Sequence, residues 1–189
     1  YSIKAIDERN ISRKPKAPFN TSMLQQTANS QINFSASQTM TVAQGLYMGV
    51  DIGLETIALI TYMRTDSISL SNDTLSILRD KIKSEYGEEY VPKNPILYKT
   101  KKKNAQEAHE AIRPTDINIH PESIKDSLTE EQFKLYNLIW RRTISSQMVN
   151  AETKLSTIRI ANEDNSVLLK ATIGTVSYTH LRAHETSKH

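Results

Sequence analysis

The sequence predicts an α+β chain, helical from about Pro18 to Gln147 and flanked by strands at both ends. Two observations carry this. Apolar residues recur at three- and four-residue spacing in four segments of the middle, each with a cap or stop signal. Towards both ends the period changes to two. Tyr1, Ile3 and Ala5 alternate loosely with Ser2, Lys4 and Ile6, and Leu155 to Ile160 and Val167 to Ile173 alternate again.

In order, Tyr1 to Ile6 is expected to be a strand. Asp7 to Lys16 is polar and basic, with Arg9, Arg13, Lys14 and Lys16 around Pro15, and is expected to be a connector. Its cations could touch a polyanion or simply be solvated. A first helix opens within Pro18 to Gln26, where Ser22 and Gln25 have capping-box spacing and Leu24, Ala28 and Ile32 follow as a stripe. A second runs from Ser37 to Met48, with Met40, Ala43 and Tyr47 as its core stripe, Gln44 beside them and Gly49 as its stop.

A third helix spans Ser71 to Tyr86. Leu75, Leu78, Ile82 and Tyr86 form its stripe, Asp73 suits the first turn, and Gly87 ends it. Pro92 and Pro95 break the pattern. Lys99 to Lys103 is a basic run, either a solvated loop or a polyanion contact. Ala105 to Ile112 reads as helical from its alanine, glutamate and glutamine content, with Pro114 as the stop. Thr129 and Gln132 form a second capping-box pattern. It opens a helix to about Met148 with Phe133, Tyr136, Trp140 and Ile144 inward, and Arg141 and Arg142 beside Trp140. Asn162 to Asn165 is a hairpin turn between the last two strands.

Composition bounds the chemistry. The chain has 189 residues, 38% apolar and 24% charged, which is ordinary for a soluble globular protein. A net charge of +3 and a pI near 9.0 permit an acidic partner without requiring one. The absence of cysteine excludes disulfides and thiolate metal sites and suits a cytoplasmic protein. No apolar run approaches the roughly 18 residues that span a membrane. No Gly-rich phosphate loop, His-Glu-x-x-His or Ser-His-Asp arrangement is visible.

One stretch has the composition of a site. An apolar run, Ile57 to Ile60, leads into Thr61-Tyr62-Met63-Arg64-Thr65-Asp66-Ser67, as buried strands do when they end at a cleft. If the segment is extended, Tyr62, Arg64 and Asp66 share one face and Met63 and Thr65 the other. A phenol beside a guanidinium suits chemistry on an anion, since the oxygen can act as nucleophile and the cation can hold phosphate. The plainer reading is a strand end with an amphipathic Tyr and a solvated Arg. Further on, His109 and Arg113 lie four apart, on one face of the expected helical turn. They are either an anion-binding or proton-transfer pair or a hydrogen-bonded helix corner.

Taken together, Pro18 to Gln26, Ile60 to Ser67, Ala108-His109-Glu110-Ala111-Ile112-Arg113-Pro114-Thr115 and Tyr136-x-x-Ile139-Trp140-Arg141 resemble the central part of bacterial type IA DNA topoisomerases. The resemblance covers about Tyr1 to Ile173. It implies that Tyr62 attacks single-stranded DNA to form a 5′-phosphotyrosine, that Arg64 stabilises charge on the scissile phosphate, and that negative supercoils relax without ATP. His109, Arg113 and Gln44 are its candidate DNA contacts. It assigns residues 1–16 and 148–174 to a β-rich gate domain and 17–147 to the helical domain carrying the tyrosine.

The family's Toprim domain, which binds Mg²⁺, and its Cys₄ zinc ribbons find no counterpart in the sequence. No metal ligands are therefore expected here, and the chain is expected to be a monomeric piece that is inactive alone. Its partners would be single-stranded DNA and the rest of the enzyme, with no membrane. Residues 175–189, with His180, His184 and His189, lose the resemblance and look like a non-native tail similar to translated adapter sequence. A reading of another class stays open: a non-catalytic nucleic-acid-binding module using the basic loops and tyrosines.

Overall fold

The computed structural model describes residues 1–53, 55–99, 109–162 and 166–176. The α+β architecture expected from the sequence is the one observed. The chain divides into two compact units, Lys16–Met148 and the pairing of Tyr1–Pro15 with the chain from Val149 onward.

The Lys16–Met148 unit is built on helices α1 (Thr21–Ile32), α2 (Ala36–Met48), α3 (Asn72–Tyr86) and α4 (Glu130–Ser145). Helix α1 is capped by Asn20, whose side chain accepts from the Met23 amide at 2.9 Å, and not by Ser22. An Asn at the cap satisfies an orphan donor and starts the helix two residues earlier than the Ser22–Gln25 spacing suggests. Asn33, in the left-handed region at φ 58°, ends the helix and lets buried Phe34 return its amide to the Ala28 carbonyl. Ser35, Ser71 and Thr129 cap the other three helices, and at Thr129 both halves of the expected capping box are present.

The core is where α1, α2 and α4 meet, filled by Leu24, Ala28, Ala43, Leu46, Leu135, Tyr136, Ile139 and Trp140. Each fully buried Leu or Ile contributes about 1.5–3 kcal/mol. On α2 the buried face is Thr39, Val42, Ala43 and Leu46, so the expected stripe is rotated and leaves Tyr47 half-buried. On α4 the aromatic rings are buried while their polar ends find carbonyls. Trp140 Nε1 donates to Ile117 O at 3.0 Å and Tyr136 Oη to Ile119 O at 2.8 Å. These bonds tie down the segment before a 3₁₀ turn at Pro121–Ser127 that no periodicity announced.

Between α2 and α3 lies a two-stranded ribbon, β2 (Val50–Asp51) with β3 (Thr56–Ile57). The chain then runs as irregular backbone from Leu59 to Ser69, bent at Thr61, Met63 and Arg64. The helix expected over Ala105–Ile112 is corrected from His109 onward; its earlier part lies outside the described residues. His109 to Thr115 is not helical and makes isolated bridges, Phe19 to Ile112 and Ile60 to Pro114. Ala111 and Ile112 are fully buried, and their amides donate to Ser69 O and Phe19 O at 2.9 and 2.8 Å. Burial and pairing override the helix preference of the residues.

The second unit is a three-stranded antiparallel sheet in the order β1–β4–β5, with β1 (Ser2–Arg13), β4 (Ala151–Ala161) and β5 (Leu168–Val176). Strand β1 is twice the expected length, because the presumed connector continues it as far as Arg13. Its stability comes from the ladder to β4 and from cross-strand pairs, Asp7–Arg159 at 2.7 Å and Glu8–Lys154 at 2.8 Å. Charged residues on an exposed strand leave no hydropathy signal. Strand β5 also runs past Gly174, with Thr175 and Val176 opposite Lys154 and Thr153. The rest of the expected tail, and the three histidines in it, lie outside the described residues.

Candidate active site

The stretch around Tyr62 is held from both flanks. Leu59 and Ile60 are fully buried, and the Leu59 amide donates to Leu46 O on α2 at 2.8 Å. Thr61 joins the second motif. Its amide donates to Arg113 O at 2.9 Å, its hydroxyl donates to Ala111 O at 2.8 Å, and the same oxygen accepts from the Arg113 amide at 3.0 Å. Thr115 adds a bond from its amide to Leu59 O and one from its hydroxyl to Ala58 O. On the other side, the Thr21 hydroxyl of α1 donates to Met63 O at 2.8 Å and accepts from the Thr65 amide at 2.9 Å. The backbone between Thr61 and Thr65 thus hangs between two anchors.

Burial alternates along this span although the backbone bends at Thr61, Met63 and Arg64 and forms no strand: Met63 and Thr65 are buried, Tyr62 is half-buried, and Arg64 and Asp66 are exposed. The Tyr62 ring packs edge-on to Tyr47 and tilted against His109, each at 5.5 Å between centroids. The site therefore combines a phenol seated between a second phenol and an imidazole with a guanidinium two residues on.

Arg113 is engaged within its own motif. Its Nε donates to Glu110 Oε2 at 2.7 Å, its Nη2 pairs with the same carboxylate, and its Nη1 donates to Pro114 O at 2.8 Å. Glu110 Oε1 accepts from the Ser71 amide at 2.6 Å, at the cap of α3. Burial pushes the Glu110 carboxyl up, but the Ser71 hydrogen bond and the Arg113 guanidinium outweigh it and hold it below the usual carboxylate range.

A family model described as DNA topoisomerase matches residues 1–188 of the chain. The chain belongs to the DNA topoisomerase family. It is 49% identical to DNA topoisomerase 1 of Rickettsia felis over 178 residues, covering 94% of this chain and 23% of that protein. To DNA topoisomerase 1 of Xylella fastidiosa it is 43% identical over 175 residues, covering 92% of this chain and 21% of the relative. The full-length topoisomerase I of Thermotoga maritima has the same fold over 99% of this chain and 30% of its own, with a TM-score of 0.78 and 34% identity. The chain spans under a quarter of the length of the Rickettsia felis and Xylella fastidiosa relatives. The family read from the two motifs is the family found.

Of the residues singled out from the sequence, the topoisomerase fold brings Tyr62 and His109 together. Arg64 is exposed beside them, and Gln44 is exposed on α2 one turn before Tyr47. Arg113 is turned into a brace with Glu110. The sequence reading passed over Tyr47, taken as core, over Thr21 and Thr61, whose partners lie far along the chain, and over the bond from Glu110 to the distant Ser71 amide. No spacing rule could have found them.

Among the described residues no group of three or more His, Asp or Glu is placed to hold a metal, and no helix is long and apolar enough to cross a membrane. The rings of Tyr47 and His109 pack on Tyr62, Asp66 is the one carboxylate within four residues of it in sequence, and both oxygens of Glu110 are engaged. This set does not offer the oxygen ligands that Mg²⁺ takes.

Proposed function

We propose that this chain carries the nucleophile-bearing part of a type IA DNA topoisomerase acting on single-stranded DNA. The tilted packing of His109 against Tyr62, on a backbone anchored at Thr61 and Thr65, is the observation that carries this reading. Tyr62 Oη attacks a phosphodiester phosphorus and loses its proton. The bond to the 3′-oxygen breaks, that oxygen gains a proton, and the 5′ end stays bound as a phosphotyrosine.

The ester conserves the energy of the broken bond, so the 3′-hydroxyl can reverse the step after strand passage, relaxing negative supercoils without ATP. The roles of the neighbours follow from where they sit. Arg64, exposed and two residues on, is suited to the non-bridging oxygens, where charge builds up. His109 limits the Tyr62 ring to one side and offers a ring N–H to the same phosphate. Gln44 lies on the exposed side of α2 and would meet the DNA strand near Tyr47. Arg113, the remaining candidate DNA contact, is paired with Glu110.

By the same reading, residues 17–147 form the tyrosine-bearing domain and the sheet is part of a gate domain. Any Mg²⁺ would be held outside this chain, and the chain would act as a monomer joined to the rest of the enzyme in the cytoplasm.

Trapping tests the proposal. The chain is mixed with the amino-terminal portion of the Rickettsia felis relative, Mg²⁺ and a 3′-labelled single-stranded oligonucleotide. A denaturant-resistant labelled adduct is expected, absent with Tyr62→Phe. Binding of the oligonucleotide with no adduct would sink the proposal in favour of a non-catalytic binding module. The chain alone is expected to leave supercoiled plasmid unrelaxed in Mg²⁺, and robust turnover by it would refute this division of labour.

A further inference from the structure

We infer that Glu110 is the positioning residue that fixes the second motif against Tyr62. This rests on the proposed role of Tyr62 as nucleophile. His109 touches the Tyr62 ring, and the side chain of the residue next to it accepts a hydrogen bond at the cap of α3. One Glu110 oxygen takes the Ser71 amide at 2.6 Å, and the other takes Arg113 Nε at 2.7 Å together with the Nη2 contact.

The carboxylate thus spans three pieces of chain: the cap of α3, the backbone just before the buried pair Ala111–Ile112, and the guanidinium that folds back onto Pro114 O. Geometry decides between bracing and contact. Arg113 spends Nε and Nη2 on Glu110 and Nη1 on the carbonyls of Pro114 and Thr115, so each nitrogen of its fork already has a partner within the motif. A carboxylate with two filled oxygens is likewise unsuited to meet a DNA phosphate. What both groups do hold is the path of the backbone at 109–113. That path is stitched to the segment after Tyr62 twice, by Ala111 N–H to Ser69 O and by Ser71 N–H to Glu110. Loss of the second stitch frees the end of the motif that carries His109.

The test uses the whole chain with isotope-labelled His and Tyr rings. In Glu110→Gln, nuclear Overhauser cross-peaks between Tyr62 and His109 are expected to fall severalfold while those between Tyr62 and Tyr47 persist, showing that the fold is intact. Arg113→Lys, which keeps the cation but not the fork, should give an intermediate loss. Unchanged Tyr62–His109 cross-peaks in both variants would overturn the inference.

In the trapping mixture, Glu110→Gln is expected to slow adduct formation about tenfold at saturating oligonucleotide, with oligonucleotide affinity unchanged. An effect on affinity alone would also overturn the inference. If the unsubstituted chain forms no adduct, the proposed function fails, while the cross-peaks still decide the positioning.

Discussion

Thr61→Val removes one oxygen and keeps the shape of the side chain. The Thr61 hydroxyl donates to Ala111 O at 2.8 Å and accepts from the Arg113 amide at 3.0 Å, across a separation of about 50 residues. Each hydrogen bond contributes roughly 1 kcal/mol net, and an amide left without an acceptor costs about 1 kcal/mol more. The valine variant should therefore be destabilised by about 2–3 kcal/mol, or about 6–12 °C in Tm for a unit of this size. Trp140 is the only tryptophan, is buried on α4 within the same unit, and reports its unfolding by fluorescence in urea. Thr61→Ser restores both bonds and should recover most of the loss. A valine variant within about 0.5 kcal/mol of the parent, or a serine variant as weak as valine, would refute the claim that this hydroxyl joins the two motifs.

Gly49→Ala should cost about 1–3 kcal/mol, since Gly49 ends α2 at φ +126° and a Cβ there would lie 2.8 Å from Thr56 Cγ2. Gly53→Ala, at φ +88° with open space around it, should cost less, and equal urea midpoints for the two would count against the clash. The Glu110 carboxyl sits below its usual range, so its contribution is present above the unfolded carboxylate pKa and is lost as pH falls through the lowered folded value. The stability gap between the parent and Glu110→Gln should thus be full at neutral pH and close on acidification, and a gap that widens in acid would contradict the assignment.

The parts of the fold legible in the sequence are those whose causes are local. Helix α4 is an example: Thr129 and Gln132 satisfy each other's backbone within one turn, and the residues from Leu135 to Ile144 bury one face. Strand β1 shows the opposite. Its pairing partners lie some 140 residues away, and Asp7, Glu8 and Arg9 look like a linker until β4 brings Arg159 and Lys154 diagonally across from Asp7 and Glu8. Residues 109–113 failed as a helix for the same reason. Their alanine and glutamate content favours helix locally, but Phe19 and Ser69 take their hydrogen bonds. The alternation at Tyr62 was legible because Met63 and Thr65 must be buried. The choice of Tyr47 and His109 as its neighbours was not, since both arrive from distant segments.

How Tyr62 is held bears on what a covalent nucleophile requires. Its neighbours Thr61 and Thr65 are fixed by hydrogen bonds to Ala111, Arg113 and Thr21, so the backbone under the phenol has one path. The ring is held by packing, and an aromatic pair contributes only about 0.5–1.5 kcal/mol beyond the area it buries. Rotation of the ring away from His109 therefore costs little, whereas displacement of its Cα would break several bonds at once. In the proposed function, Tyr62 must reach a phosphate, carry it as an ester and give it back, and this combination of a fixed base and a movable tip suits that role. The hydrogen bonds of the two motifs fall on the residues around Tyr62, where they hold the base without restraining the oxygen.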